Sequence, residues 1–234
     1  MELLNEFYKD KTYCESIQPS SYQQSLDNKQ VHTKSKSYHT IISLFIDNFD
    51  PTCSILPEKE KQVYMQKLAV EIASEIDEKP DICFDKMNYS KLMKKSTVQQ
   101  GFQVDNSVSS LIYLGDYYKV SPIIHLLEKK KSIQVSEKKR DELHIGYIRG
   151  KFSLLETPPT FSLDVFSELD IAFVMDVKDR AVYNKYLNPI SKYKVGELQD
   201  KATEIKLSIH DLGKKKTKKQ LYDEINMYYL NNPN

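Results

Sequence analysis

Between Glu58 and Ile76 the apolar residues Tyr64, Leu68, Ile72 and Ile76 recur every fourth position, flanked by Val63, Ala69 and Ala73. The opposite face carries Lys59, Lys67, Glu71 and Glu75. That period predicts an amphipathic helix packed against a core. Pro57 suits its first turn, Glu58 and Glu60 suit the positive N-terminal end, and Lys79-Pro80 closes the pattern. Upstream, Tyr38–Phe49 (YHTIISLFIDNF) is a compact apolar stretch that fits a buried strand or the face of a short helix. Tyr89–Gln99 and Ser107–Tyr118 predict two more helices, the second capped by Asp105, Asn106 or Ser107.

The pattern then changes period. Val120–Leu127 (VSPIIHLL) predicts a strand, Lys129–Lys131 a turn, and Ser132–Ser136 the returning strand. Leu143–Ile148 and Lys151–Leu155 predict a further strand pair, turning at Arg149-Gly150. Phe161–Leu169 and Ile171–Val177 continue as mixed elements, Arg180–Leu187 predicts a helix, and Asn188-Pro189 marks a domain boundary. Helices followed by strand pairs, without repeated strand–helix–strand units, give an α+β class: helices on a small, mainly antiparallel sheet. Beyond the boundary, Glu197–Ile205 and Lys218–Tyr229 predict two short helices joined by an extended link through Leu207 and Ile209, with Gly213 permitting a turn. Leu198, Ala202 and Ile205 face Leu221, Ile225 and Tyr228 or Tyr229, and Thr217 caps the second helix. Three segments result: a poorly ordered stretch 1–37 rich in Ser, Gln and Lys, an α+β body 38–188, and an all-α helix–extension–helix module 190–234.

Composition narrows the function classes. The chain has 234 residues, 40% hydrophobic and 29% charged, with 34 basic against 33 acidic residues, which fits a folded and nearly neutral chain. No apolar run approaches the ~20 residues of a membrane-spanning helix, and the N-terminus has no secretion-signal pattern, so membrane insertion and secretion are not expected. Cys14, Cys53 and Cys83 form no CxxC pair, and the five histidines show no ligand spacing, so neither a disulfide framework nor a metal site is expected. Asp164, Glu168, Asp170 and Asp176 are scattered carboxylates without such spacing. No phosphate-binding glycine loop is present, and no cofactor is expected.

Charge is concentrated locally. From Lys206 to Lys219 there are six lysines against the single acid Asp211. Lys214, Lys215, Lys216, Lys218 and Lys219 occupy the turn and the start of the second helix, where backbone N–H groups add partial positive charge. Phosphate is the natural ligand of such a surface, and lysines meet phosphate as point charges, so weak sequence preference is expected. Lys129–Lys131 with Lys138, Lys139 and Arg140 form a second basic cluster that would extend the same surface.

The segment KVGELQDKATEIKLSIHDLGKKKTKKQLYDEI resembles the SAP and Rho N-terminal type of helix–extension–helix motif. The shared features are ELxxxA in the first helix, the apolar link, the GKK turn and the KKxL start of the second helix. Tails with the GKKKTKKxLYxxI wording are similar to those of proteins from nucleocytoplasmic large DNA viruses. The resemblance implies a viral structural or assembly protein without enzymatic activity, in the virion or in viral factories of the host cytoplasm. Its partners would be double-stranded DNA, met through Lys214–Lys219, or other viral proteins.

An alternative comes from the middle of the chain. Leu111–Glu156 loosely resembles the second half of ovarian-tumour-type cysteine proteases, and Asp50-Pro51-Thr52-Cys53 stands where that family places its nucleophile turn. The pattern departs where Pro51 replaces a glycine and Lys151-Phe152 replaces a His-aromatic pair. A thiol needs a neighbouring base to attack, and His144 would serve only if its strand faced Cys53.

Overall fold

The computed structural model describes residues 36–78 and 83–232. Nearly all of the stretch 1–37, and Lys79-Pro80, lie outside the described residues. Strand β1 (Ser37–Tyr38) leads into helix α1 (Ile41–Phe49), so the apolar stretch is helical. Thr40 caps it by accepting from the Ser43 N–H at 3.2 Å. Asp50 ends α1 and caps α2 (Pro51–Ile55), accepting from the Cys53 N–H at 2.8 Å. The long helix α3 (Glu58–Glu78) follows as expected, with Ile72 and Ile76 buried and Tyr64 and Leu68 half-buried.

Two expectations fail for one shared reason. After the short α4 (Cys83–Lys86), helix α5 covers Lys95–Gln103 rather than starting at Tyr89, and Arg180–Leu187 is not helical. The two segments bind each other: the Ser90 N–H donates to the Val182 carbonyl at 2.7 Å, and the Asn184 N–H to the Asn88 carbonyl at 2.8 Å. The Tyr89 and Tyr183 rings stack with centroids 5.5 Å apart. Both phenols reach one carboxylate, Asp116, and that long-range pairing overrides local helix preference.

Helix α6 (Val108–Tyr117) is capped by Ser107, which accepts from the Ser110 N–H at 3.1 Å. It is buried along nearly its whole length and feeds the sheet. Strands β2 (Val120–Leu126), β3 (Lys131–Gln134), β4 (Asp141–Ile148), β5 (Lys151–Leu154) and β6 (Ser162–Leu163) join β1 in the order β1-β5-β4-β2-β3-β6. The β2–β3 and β4–β5 hairpins are antiparallel, with Arg149 and Gly150 both at positive φ in the second turn. Three of the five strand pairings are antiparallel, but β4 returns beside β2 in parallel, Ile124 opposite Ile145, and β3 pairs β6 in parallel, so the mainly antiparallel sheet is mixed. Ile124, Leu126, Ile133, Ile145 and Phe152 form the sheet's share of one core with α1, α3, α5 and α6. The α+β class holds.

After a 3-10 turn at Phe166–Ile171 and an irregular stretch, helices α7 (Val195–Glu204) and α8 (Lys218–Asn231) build a second, smaller core. It consists of Leu198, Ala202, Leu221, Tyr222 and Ile225, together with Leu187 from ahead of the expected boundary. Asn226 fixes that entry, its Oδ1 accepting from the Leu187 N–H at 2.9 Å. Helix α8 also reaches the main core. Leu230 is buried there, Met227 packs beside it, and Asn231 Oδ1 accepts from the Lys139 N–H.

Candidate nucleic-acid interface

The link between α7 and α8 is a small hairpin. Strands β7 (His210–Asp211) and β8 (Lys214–Lys215) pair antiparallel, and the Lys216 N–H donates to the Ile209 carbonyl at 3.0 Å below them. Leu212 and Gly213 form the two-residue turn at φ 45° and 80°. Both values are left-handed, as a two-residue turn of this kind requires. The start of α8 is fixed by reciprocal bonds: Thr217 Oγ1 accepts from the Gln220 N–H at 3.3 Å, and Gln220 Oε1 accepts from the Thr217 N–H at 2.8 Å. This capping box holds the first turn in a set orientation next to the hairpin.

The five lysines expected at this surface divide into two kinds. Lys216 is turned inward, its side chain 12% exposed and its ammonium 2.6 Å from Glu224 Oε2 on the next turn of α8. Lys214, Lys215, Lys218 and Lys219 have no carboxylate partner among the described residues. Lys218 and Lys219 open α8 with no acidic residue in its first turn, where the helix dipole disfavours cations. Asp211 stands opposite Lys214 across the hairpin, one acid against four cations unpaired among the described residues, and such a surplus is suited to an external anion.

Four of the six members of the second basic cluster are paired internally. Lys129 pairs with Glu168 at 3.0 Å and Lys131 with Asp164 at 2.6 Å. Lys138 and Arg140 reach the buried carboxylate of Asp116 at 3.2 and 2.8 Å. Burial pulls the Lys138 ammonium below its ordinary range, and the Asp116 charge opposes that shift.

Cys53 and His144 are not brought together. The Cys53 thiol is fully buried and donates to Asp47 Oδ1 at 3.6 Å. Burial and the Asp47 charge push it up to about 11, away from thiolate reactivity. Both ring nitrogens of His144 are engaged elsewhere, with His125 Nε2 at 3.0 Å and Glu142 Oε2 at 3.4 Å.

The sheet face opposite to that of Ile124 holds an arrangement that spacing does not reveal. Ser132 Oγ, His125 and His144 form a hydrogen-bonded row ending on Glu142, with Ser132 Oγ 2.8 Å from His125 Nδ1. A charged Glu142 favours the tautomer in which His144 Nε2–H donates to it, so that Ser132 donates into His125 and His125 into His144. Burial, then the neighbouring His144, lowers the basicity of His125. Ser132 and His125 are themselves buried, so the row has no open face for a substrate at the serine. The register explains the assembly: His125 lies opposite Ser132 on β3, and Ile123 opposite His144 on β4. Among the described residues, no group of three or more His, Cys, Asp or Glu is placed to hold a metal ion, and no helix is long and apolar enough to cross a membrane. Comparison with known proteins returns no match to a family model, a curated protein or a solved structure.

Proposed function

We propose that this chain is a non-enzymatic DNA-binding protein of a viral assembly, and that it meets double-stranded DNA through the α7–α8 module. The observation that carries this reading is the set of four lysines, Lys214, Lys215, Lys218 and Lys219, that form no ion pair among the described residues, on a hairpin and an adjoining helix start. The viral setting rests on the resemblance of the module's wording to viral tails. The α+β body would supply protein contacts within the assembly, since α8 is anchored in its core through Leu230.

Lysine ammonium groups neutralise phosphate without the forked geometry that reads guanine, so affinity comes from the backbone and counterion release. Four phosphate contacts give a log–log salt slope of about −3 to −4. The test is fluorescence anisotropy of the full chain on unrelated duplexes across a salt series. Changing Lys214, Lys215, Lys218 and Lys219 together to Gln abolishes binding and leaves the circular dichroism spectrum unchanged. Lys216→Gln leaves the slope as it was, because that ammonium already serves Glu224. Absence of salt-dependent binding at low ionic strength refutes the reading.

A further inference from the structure

The hairpin tip carries a side chain that the fold does not use. Leu212 is 99% exposed and stands at φ 45°, in a turn position that favours Asn, Asp or Gly. It is therefore an apolar, branched residue in an unfavourable backbone conformation with none of its surface buried. Past Gly213, Lys214 and Lys215 follow on β8, with Asp211 opposite Lys214 on β7, so the cations stand on one side of the apolar tip. An exposed Leu side chain beside basic residues has the form of a wedge that enters between base steps from the minor groove.

Resting on the DNA-binding reading above, we infer that Leu212 inserts into the minor groove and partly unstacks a base step, while Lys214 and Lys215 hold phosphates beside it. The chemistry that recognises this wedge is DNA that opens easily: a pyrimidine–purine step such as TA, or a mismatch, whose unstacking costs least. The module would then read deformability rather than base edges, which agrees with lysines in place of arginines. The groove is about 6 Å wide, which admits a hairpin tip but not a helix, so α8 stays outside on the backbone.

The experiment uses the full chain and duplexes with 2-aminopurine beside a central TA step or a mismatch, and a dye at each end. Wild-type protein raises the 2-aminopurine signal, shortens the end-to-end distance, and prefers the mismatched duplex by about tenfold. Leu212→Asn keeps low-salt binding and the salt slope but loses both signals and the preference. Asn suits the left-handed turn, so this variant preserves the hairpin. Leu212→Met, which keeps an apolar tip, retains the signals. Wild-type binding without distortion, or distortion that survives in Leu212→Asn, overturns the wedge while the lysine interface stands, and leaves Leu212 as a protein contact. Failure of the wild type to bind any duplex at low salt removes the lysine interface itself, and the wedge with it.

Discussion

Replacing Asp47 with Asn is expected to weaken the fold by an amount that depends on pH in a defined way. The Asp47 side chain is 6% exposed and joins three elements. Its Oδ2 lies 2.6 Å from the Lys36 ammonium and 2.6 Å from the Tyr38 hydroxyl, and its Oδ1 lies 3.1 Å from the Lys61 ammonium on α3. Burial alone would raise its pKa, but the hydrogen bonds from Lys36, Tyr38 and Lys61 outweigh it, and the carboxyl falls from 3.8 to about 2. A folded-state pKa below the unfolded one means stability that is present above the unfolded value and lost as pH falls through the folded one. The difference corresponds to about 2 kcal/mol at neutral pH, reduced towards 1 because Lys36 is half in solvent and screened. Roughly half of that contribution is gone by pH 3. Urea titrations of wild type and Asp47→Asn at matched pH read it directly, since the other carboxylates cancel in the difference. The gap narrows by about 0.5–1 kcal/mol between pH 6 and pH 3. A gap that stays constant over that range refutes the assignment of Asp47 as a charge-paired anchor.

The buried carboxylate of Asp116 serves Lys138, Arg140, Tyr89 and Tyr183 together, so Asp116→Ala leaves two cations uncompensated. The expected cost is about 3–5 kcal/mol in chemical denaturation, and a loss under 1 kcal/mol would show that the network is dispensable. Limited proteolysis is expected to spare residues 187–194, because Leu187 is buried in the smaller core and its N–H is held by Asn226, while Leu230 ties α8 to the larger one. Leu230→Ala, which removes that tie, opens the segment to cleavage. Release of a stable C-terminal fragment from the wild type would contradict the docking.

Some elements of this protein are legible without its fold. Helix α3 is visible as a four-residue apolar period, α6 by a cap among Asp105, Asn106 and Ser107, and the β4–β5 hairpin by Arg149-Gly150 between alternating strands. Thr217 marks the start of α8 in the same local way. Each depends on neighbours a few residues apart, and the backbone preferences of a short segment act at that range. The lysine cluster is equally local, and its count needs no structure.

Contacts across long separations were decided only by tertiary packing. Tyr89 and Tyr183 are drawn to Asp116, and the isolated bridge between them stands where the start of one expected helix and the whole of another would have been. The parallel return of β4 beside β2 aligns His125 and His144, which sequence spacing leaves unrelated. Lys216 looks like its four neighbours in sequence, yet Glu224 removes it from the basic surface. Leu212 looks like one more apolar residue of the link, yet the hairpin leaves it wholly in solvent. Local propensity sets which backbone a segment favours alone. The pairing of buried polar groups and the closure of a sheet depend on partners that only the folded chain brings within a few ångströms.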